Sequence, residues 1–206
     1  MHALIHRPVS LLTFVVAVGS VCGLASTIAA APARSIARES PAAVFRIDPS
    51  QSEVRFTVTK FGFEDVTGVF RESEGQLRYD PADPAMSVIQ WRVRVASVLT
   101  DASNRDSALQ APEYFDAARH PYLTFESRAV RVRPDRSLDV SGDFTVRGVT
   151  RRITVHVRPT TSTGAIAFET DFEVDRYDYG VVGGSVLGRL IGRQVRIHLM
   201  VVGAQS

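Results

Sequence analysis

Chemistry in this chain of 206 residues rests on few candidates. Gly183-Gly184-Ser185-Val186-Leu187-Gly188 has the outline of a nucleophile elbow. That turn needs glycine two residues after the serine, and Leu187 stands there. Asp101, Ser103 and Arg105 share the spacing of a calcium loop, but a cation site does not take arginine as a ligand. His120, His156 and His198 are scattered and offer no ligand pair at short spacing. No glycine-rich phosphate loop follows a strand in the required form. Charge recognition is what remains. Lys60 is the only lysine and precedes Phe61-Gly62-Phe63. Its ammonium is a compact point charge that suits a pyrophosphate. Arg105 and Asp106 offer a donor fork beside a carboxylate. They suit a polar head group, a structural ion pair, or a helix start where an acid complements the dipole. Arg147-Gly148 reads as a turn, and Arg176 with Asp178 as a corner contact.

Strands must position these groups, because from Val44 onward the apolar period is two. Val54, Phe56 and Val58 alternate with Arg55, Thr57 and Thr59. Ile89, Trp91, Val93 and Val95 do the same, as do Leu138 to Val146, Ile153 to Val157, Phe168 to Val174 and Val195 to Val201. Residues i and i+2 share one strand face, so each segment has an apolar and a polar side. A sheet with one wet face is antiparallel. Asp80-Pro81-Ala82-Asp83-Pro84, Arg133 to Arg136 and Thr161 to Gly164 supply turn chemistry. Two stretches read as short helices: Asp101 to Tyr114, with Ser103 or Asn104 as N-cap, and Ser185 to Ile191, stopped by Gly192. About eight long strands with so little helix predict an all-β barrel or sandwich. A closed barrel of about eight strands has just enough interior for one ligand. Phe56, Val58, Trp91, Val93, Phe115, Phe125, Phe144, Phe168 and Phe172 are the candidate wall. The same residues would also fill an ordinary core, and alternation does not separate the two.

The N-terminus carries a different signal. Arg7 precedes a nearly uncharged run from Val9 to Ile28, followed by Ala29-Ala30-Ala31. That is the pattern of a secretory signal peptide over residues 1–31, cut near Ala29 to Ala31. An uncleaved anchor is the rival. Cys22, the single cysteine, falls inside this run, and Gly19-Ser20-Val21 before it does not resemble a lipobox. Cleavage would leave an exported domain without disulfides, zinc-thiolate sites or thiol chemistry. Residues 32–43, rich in Ala, Ser, Pro and Arg, read as a flexible spacer. The formal net charge of +2 and arginines dispersed among acids exclude nucleic-acid binding driven by phosphate neutralisation.

The order of motifs over residues 44–203 resembles the YceI-like family of exported polyisoprenoid-binding proteins. The likeness is carried by Phe45-Arg46-Ile47-Asp48-Pro49-Ser50, Gly62 with Val66-Thr67-Gly68-Val69-Phe70, and Asn104-Arg105-Asp106 with Leu109. It continues through Pro112-Glu113-Tyr114-Phe115-Asp116, His120-Pro121, Phe125, Gly142 to Arg151 and Asp175 to Gly180. The chain departs from the family pattern at Gln51 and Lys60, where histidine is common, and near Ser73, where an aromatic is common.

The resemblance implies an eight-stranded antiparallel lipocalin-like barrel around a long apolar tunnel. It implies a polyisoprenoid, isoprenoid quinone or similar long-chain amphiphile as ligand, with no enzymatic activity and no cofactor beyond that ligand. The nine wall residues would line the tunnel, and Lys60, Arg105 and Asp106 are the head-group candidates. With the leader it implies a periplasmic or secreted carrier without stable membrane insertion after cleavage. The alternative is a non-catalytic envelope stress or interaction protein with a filled barrel. Oligomeric state stays open, a homodimer included.

Overall fold

A computed structural model describes residues 42–184, 188 and 190–205. The expected leader with Cys22, the expected spacer up to position 41, and residues 185–187 and 189 of the second expected helix lie outside the described residues.

Eleven strand segments form one antiparallel sheet. They are β1 (Ala43–Ile47), β2 (Glu53–Lys60), β3 (Glu64–Phe70), β4 (Ser73–Tyr79), β5 (Val88–Arg94) and β6 (Val98–Leu99), then β7 (Tyr122–Val132), β8 (Leu138–Val146), β9 (Val149–Ser162), β10 (Ala165–Asp175) and β11 (Ile191–Gln205). One α-helix, α1 (Ser103–Gln110), separates β6 from β7. The segments reduce to eight strands, because β1–β2, β3–β4 and β5–β6 are each one long strand with a break. The order β1-β4-β5-β7-β8-β9-β10-β11 closes through β1 pairing with β11. The chain is therefore an eight-stranded, closed, antiparallel barrel that meanders up and down. β2 and β3 continue the wall upward beside β11, and β6 pairs with β3.

The β3–β4 and β5–β6 breaks hydrogen-bond to each other: Arg71 N donates to Ser97 O, Arg94 N to Glu72 O, and Glu72 N to Ser97 Oγ. The β1–β2 break is tied to β11 instead, with Asp48 N donating to Val202 O. Up-and-down order then fixes which loops share the upper end: residues 61–63, 100–121 and 147–148, with 176–184, 188 and 190.

The expected alternation is the observed one. Leu138, Val140, Gly142, Phe144 and Val146 are all buried, while the residues between them are partly exposed. Two glycines admit aromatic rings to the inner face. Gly68 lies opposite Phe56 in register, and a Cβ on it would strike the Phe56 ring. A Cβ on Gly142 would strike the Phe125 ring in the same way.

Four local expectations need correction. Helix α1 is shorter than Asp101 to Tyr114, because 111–119 forms successive turns instead. Its N-cap is Ala102, without a side-chain cap, so neither Ser103 nor Asn104 fills that position. Ile191 begins β11, so it does not end a helix. Ala43, placed in the spacer on composition, already pairs with Tyr79.

Candidate functional site

The barrel interior is not filled. An upper cavity of about 360 Å³ lies among β2, β3, β5, β11 and α1. A lower cavity of about 80 Å³ lies in the base, walled by Ile47, Leu77, Ile89, Ile153, Val155 and Val157 among others. Trp91, Phe144, Phe172 and Leu199 border both cavities and form a waist between them. The Phe144 and Phe172 rings meet edge to face at 6.3 Å, and Phe144 meets Tyr179 at 5.5 Å. Alternation explains this placement. Each waist residue is on the inward phase of a different strand, so four side chains converge at one height.

All nine expected wall residues face this interior. Phe56, Val58, Val93 and Phe115 line the upper cavity. Phe125 and Phe168 line the lower one, and Trp91, Phe144 and Phe172 touch both. Sequence reasoning passed over Phe70, Val195, Ile197 and Leu199, which also line the upper cavity. The last three share the inward phase of β11, and that phase was their signal.

The polar candidates separate. Lys60, at the top of β2, lines the upper cavity while remaining partly exposed, and its Nζ lies 4.6 Å from the Phe61 ring centroid. It forms no ion pair among the described residues. Arg105, on α1, also lines the cavity, but its guanidinium is engaged. Nε donates to Thr100 Oγ1 at 2.8 Å and Nη2 to Thr100 O at 2.6 Å. Asp106 does not line the cavity. Its Oδ1 accepts from Thr100 N at 2.8 Å and Thr100 Oγ1 at 2.6 Å. These bonds are the helix-start contact that its position suggests, tying the first turn of α1 to Thr100.

Arg176 makes the expected corner contact, and it is also buried and lines the upper cavity, which its sequence position did not indicate. Its guanidinium donates to four backbone carbonyls: Gly192 at 2.9 Å, Val181 at 2.6 Å, Gly188 at 2.8 Å and Ile191 at 2.9 Å. It stacks 4.7 Å from the Tyr177 ring and makes no salt bridge among the described residues. The planar fork reaches four acceptors that an ammonium could not reach together. Arg176 thus fastens the segment after β10 to the start of β11. Arg147 acts similarly from the β8–β9 turn, donating to Gly180 O and, at 2.6 Å, to Pro112 O.

Tyr179, buried beside this cluster, has its hydroxyl pKa pushed up to about 12, chiefly by burial and then by the charge of Asp178. The outer face carries ion-pair ladders instead. Asp143 lies between Arg128 at 2.7 Å and Arg152 at 2.6 Å. Asp139 meets His156 and Arg133. His198 contacts Asp171 on the same surface. Among the described residues no three His, Cys, Asp or Glu side chains group closely enough to hold a metal ion. No described helix is long and apolar enough to cross a membrane.

A closed antiparallel barrel around an apolar void defines a lipocalin-like ligand-binding architecture. Within that class the chain belongs to the YceI-like domain family, whose model matches residues 45–202. A UPF0312 protein of Pseudomonas savastanoi pv. phaseolicola is 31% identical over 102 residues, which is 50% of this chain and 53% of that one. Protein YceI of Escherichia coli O157:H7 is 29% identical over 119 residues, 57% of this chain and 62% of that one. The matches thus span little more than half the length of these curated relatives. The crystal structure of Burkholderia cenocepacia BcnA superposes with a TM-score of 0.71 at 24% identity, covering 76% of this chain and 98% of that one. A polyisoprenoid binding domain from Saccharophagus degradans superposes with a TM-score of 0.65 at 18% identity, covering 80% and 99%. At these identities the superpositions establish the fold.

Proposed function

We propose that this protein is a non-catalytic carrier of a long-chain amphiphile, a polyisoprenoid or isoprenoid quinone in particular. The tail occupies the upper cavity, and the head group lies at the rim beside Lys60 and Arg105. The observation that carries this reading is the void of about 360 Å³ walled almost wholly by apolar side chains. Such a cavity falls within the size range of small-molecule sites. Each CH₂ moved from water into it gains roughly 0.8 kcal/mol, so a tail of a few isoprene units binds without many polar contacts. A relative of the same fold that is described as a polyisoprenoid binding domain supports the ligand class. The signal-peptide pattern of residues 1–31 supports export, with the periplasm or the exterior as the working compartment.

Native mass spectrometry of protein purified from its native compartment tests the reading. A co-purifying long-chain lipid, or uptake of one from a micelle, is the expected result. A chain that neither carries nor takes up such a lipid is not a carrier. The rival, an interaction protein with a filled barrel, needs a packed interior, and the upper cavity argues against it.

A further inference from the structure

Among the described residues, Phe61 and Phe63 are the only aromatic side chains that are exposed, the second at 82%. They stack on each other at 6.4 Å on the loop between β2 and β3. That loop is part of the upper rim, and Lys60 at its base lines the cavity. Leu190, also exposed, accepts a hydrogen bond from Phe61 N at 2.8 Å, and exposed Val182 belongs to the same end. Solvent-facing apolar groups thus gather where the cavity meets its rim.

The turn itself does not ask for these residues. Phe61 has φ of 54° and Gly62 has φ of 81°. Glycine, asparagine or aspartate take positive φ at little cost, whereas a bulky aromatic there is strained. Strain kept at an exposed position points to a task other than folding.

We infer that the barrel docks on a lipid bilayer surface through the Phe61–Phe63 loop, which places the cavity rim against the membrane. Bare phenyl rings gain by entering the headgroup boundary, and a cationic side chain beside them favours anionic lipid. Lys60 supplies that charge, with Glu64 its cross-strand neighbour. Asp65 is already engaged by Thr59 and Arg196. Two neighbouring rings are too small a patch for a stable protein interface, which buries on the order of 1,000 Å² or more, but they suffice for a transient bilayer contact. Docking then lets a tail pass between membrane and cavity without crossing open water. That last step rests on the carrier reading, whereas docking itself does not.

The test compares the full-length mature protein with a Phe61→Asn, Phe63→Ser variant. Asparagine keeps the turn, so the variant is expected to be at least as resistant to heat as the parent. Flotation with vesicles of phosphatidylethanolamine and phosphatidylglycerol reads docking directly. The expected loss is about tenfold in vesicle association for each ring removed. Equal flotation of a folded variant, or no flotation of the parent, overturns the proposal, and the second result would leave a protein partner as the reading of the patch. Uptake of a fluorescent geranylgeranyl probe from detergent micelles is measured in parallel. If the parent floats but takes up no probe, docking stands and the carrier reading falls. If both proteins bind the probe equally from micelles but the variant loads more slowly from vesicles, both stand.

Discussion

The waist between the two cavities sets how far a tail can descend, and Phe172→Ala removes part of it. Phe172 is half-buried, packs edge to face on Phe144, and borders both voids. Truncating a fully buried phenylalanine costs about 3–5 kcal/mol. Phe172 already faces empty space on two sides, so the ring has fewer partner atoms to lose. A destabilisation of about 2–3 kcal/mol is expected, including roughly 1 kcal/mol for the aromatic pair. The variant joins the upper cavity to the lower void of about 80 Å³ and adds the space of the lost ring. About three further CH₂ groups of a long tail then leave water, a gain of roughly 2.5 kcal/mol, or near a hundredfold in affinity. A tail that already ends above the waist gains nothing. The assay is titration with geranyl, farnesyl and geranylgeranyl alcohols, followed by the fluorescence of Trp91. This is the only tryptophan in the chain and itself part of the waist. The ratio of long-chain to short-chain affinity should rise by one to two orders of magnitude. An unchanged ratio in a folded variant would mean that tails do not run down toward the waist.

Other predictions follow from the polar groups. Arg176→Met strands four backbone carbonyls and should cost about 3–5 kcal/mol in urea unfolding, with Arg176→Lys recovering only part; an unchanged midpoint would contradict the anchoring role. Lys60→Gln should weaken binding of a prenyl pyrophosphate about fivefold, an effect that salt diminishes, and leave the matching alcohol unaffected; equal loss for both ligands would remove Lys60 from the head-group site. Stability should also fall at both pH extremes. Asp143, held below 3.8 by Arg128 first and Arg152 next, and Asp139, held below it by His156 first, both contribute fully above pH 3.8. Their contribution is lost as acid protonates them. Tyr179 works in the other direction: below pH 10 its burial is harmless, and between 10 and about 12 the unfolded chain ionises first, so stability falls. Thermal unfolding across pH, read by circular dichroism, checks both limbs, and a flat profile would refute the assignments.

How much of this was visible in the sequence depends on the range of the interaction. The inward phase of β2, β5, β7, β8 and β10 is a local property with period two, and it accounts for eight of the nine wall residues; Phe115 lies in the turns after α1, where no such period applies. Height along the barrel is not local. Trp91, Phe144, Phe172 and Leu199 form a waist because four strands have a particular stagger, and no single segment records that stagger. The strand breaks were equally hidden, since Val95 keeps its apolar phase although the chain turns there through a short 3₁₀ segment. The burial of Arg176 was hidden because its acceptors sit 5 to 16 residues away, after β10 and at the start of β11. A charge in the run Asp175-Arg176-Tyr177-Asp178 reads as surface from composition alone. Arg105 and Asp106 are neighbours in sequence, but successive helical residues point in different directions, so only Arg105 lines the cavity while Asp106 accepts from Thr100 just before the helix.

The wall between β6 and β7 has a consequence of its own. Only two residues of β6 pair with β3, and β7 begins at the level where it joins β5. Above that level residues 100–121 stand in for a strand, with α1 contributing no fully buried side chain. A free sheet edge normally invites another chain to add a strand. Here the edge is too short to serve as a template, and a helix screens it. The barrel is therefore hoop-closed at the base, while one side near the top is closed by a helix and turns rather than by strand pairing. Opening that side breaks few backbone hydrogen bonds, so amide exchange should separate a slow lower collar from a fast flank. For the carrier proposed above, this flank is the side on which a branched or bulky chain could be admitted without widening the hoop below.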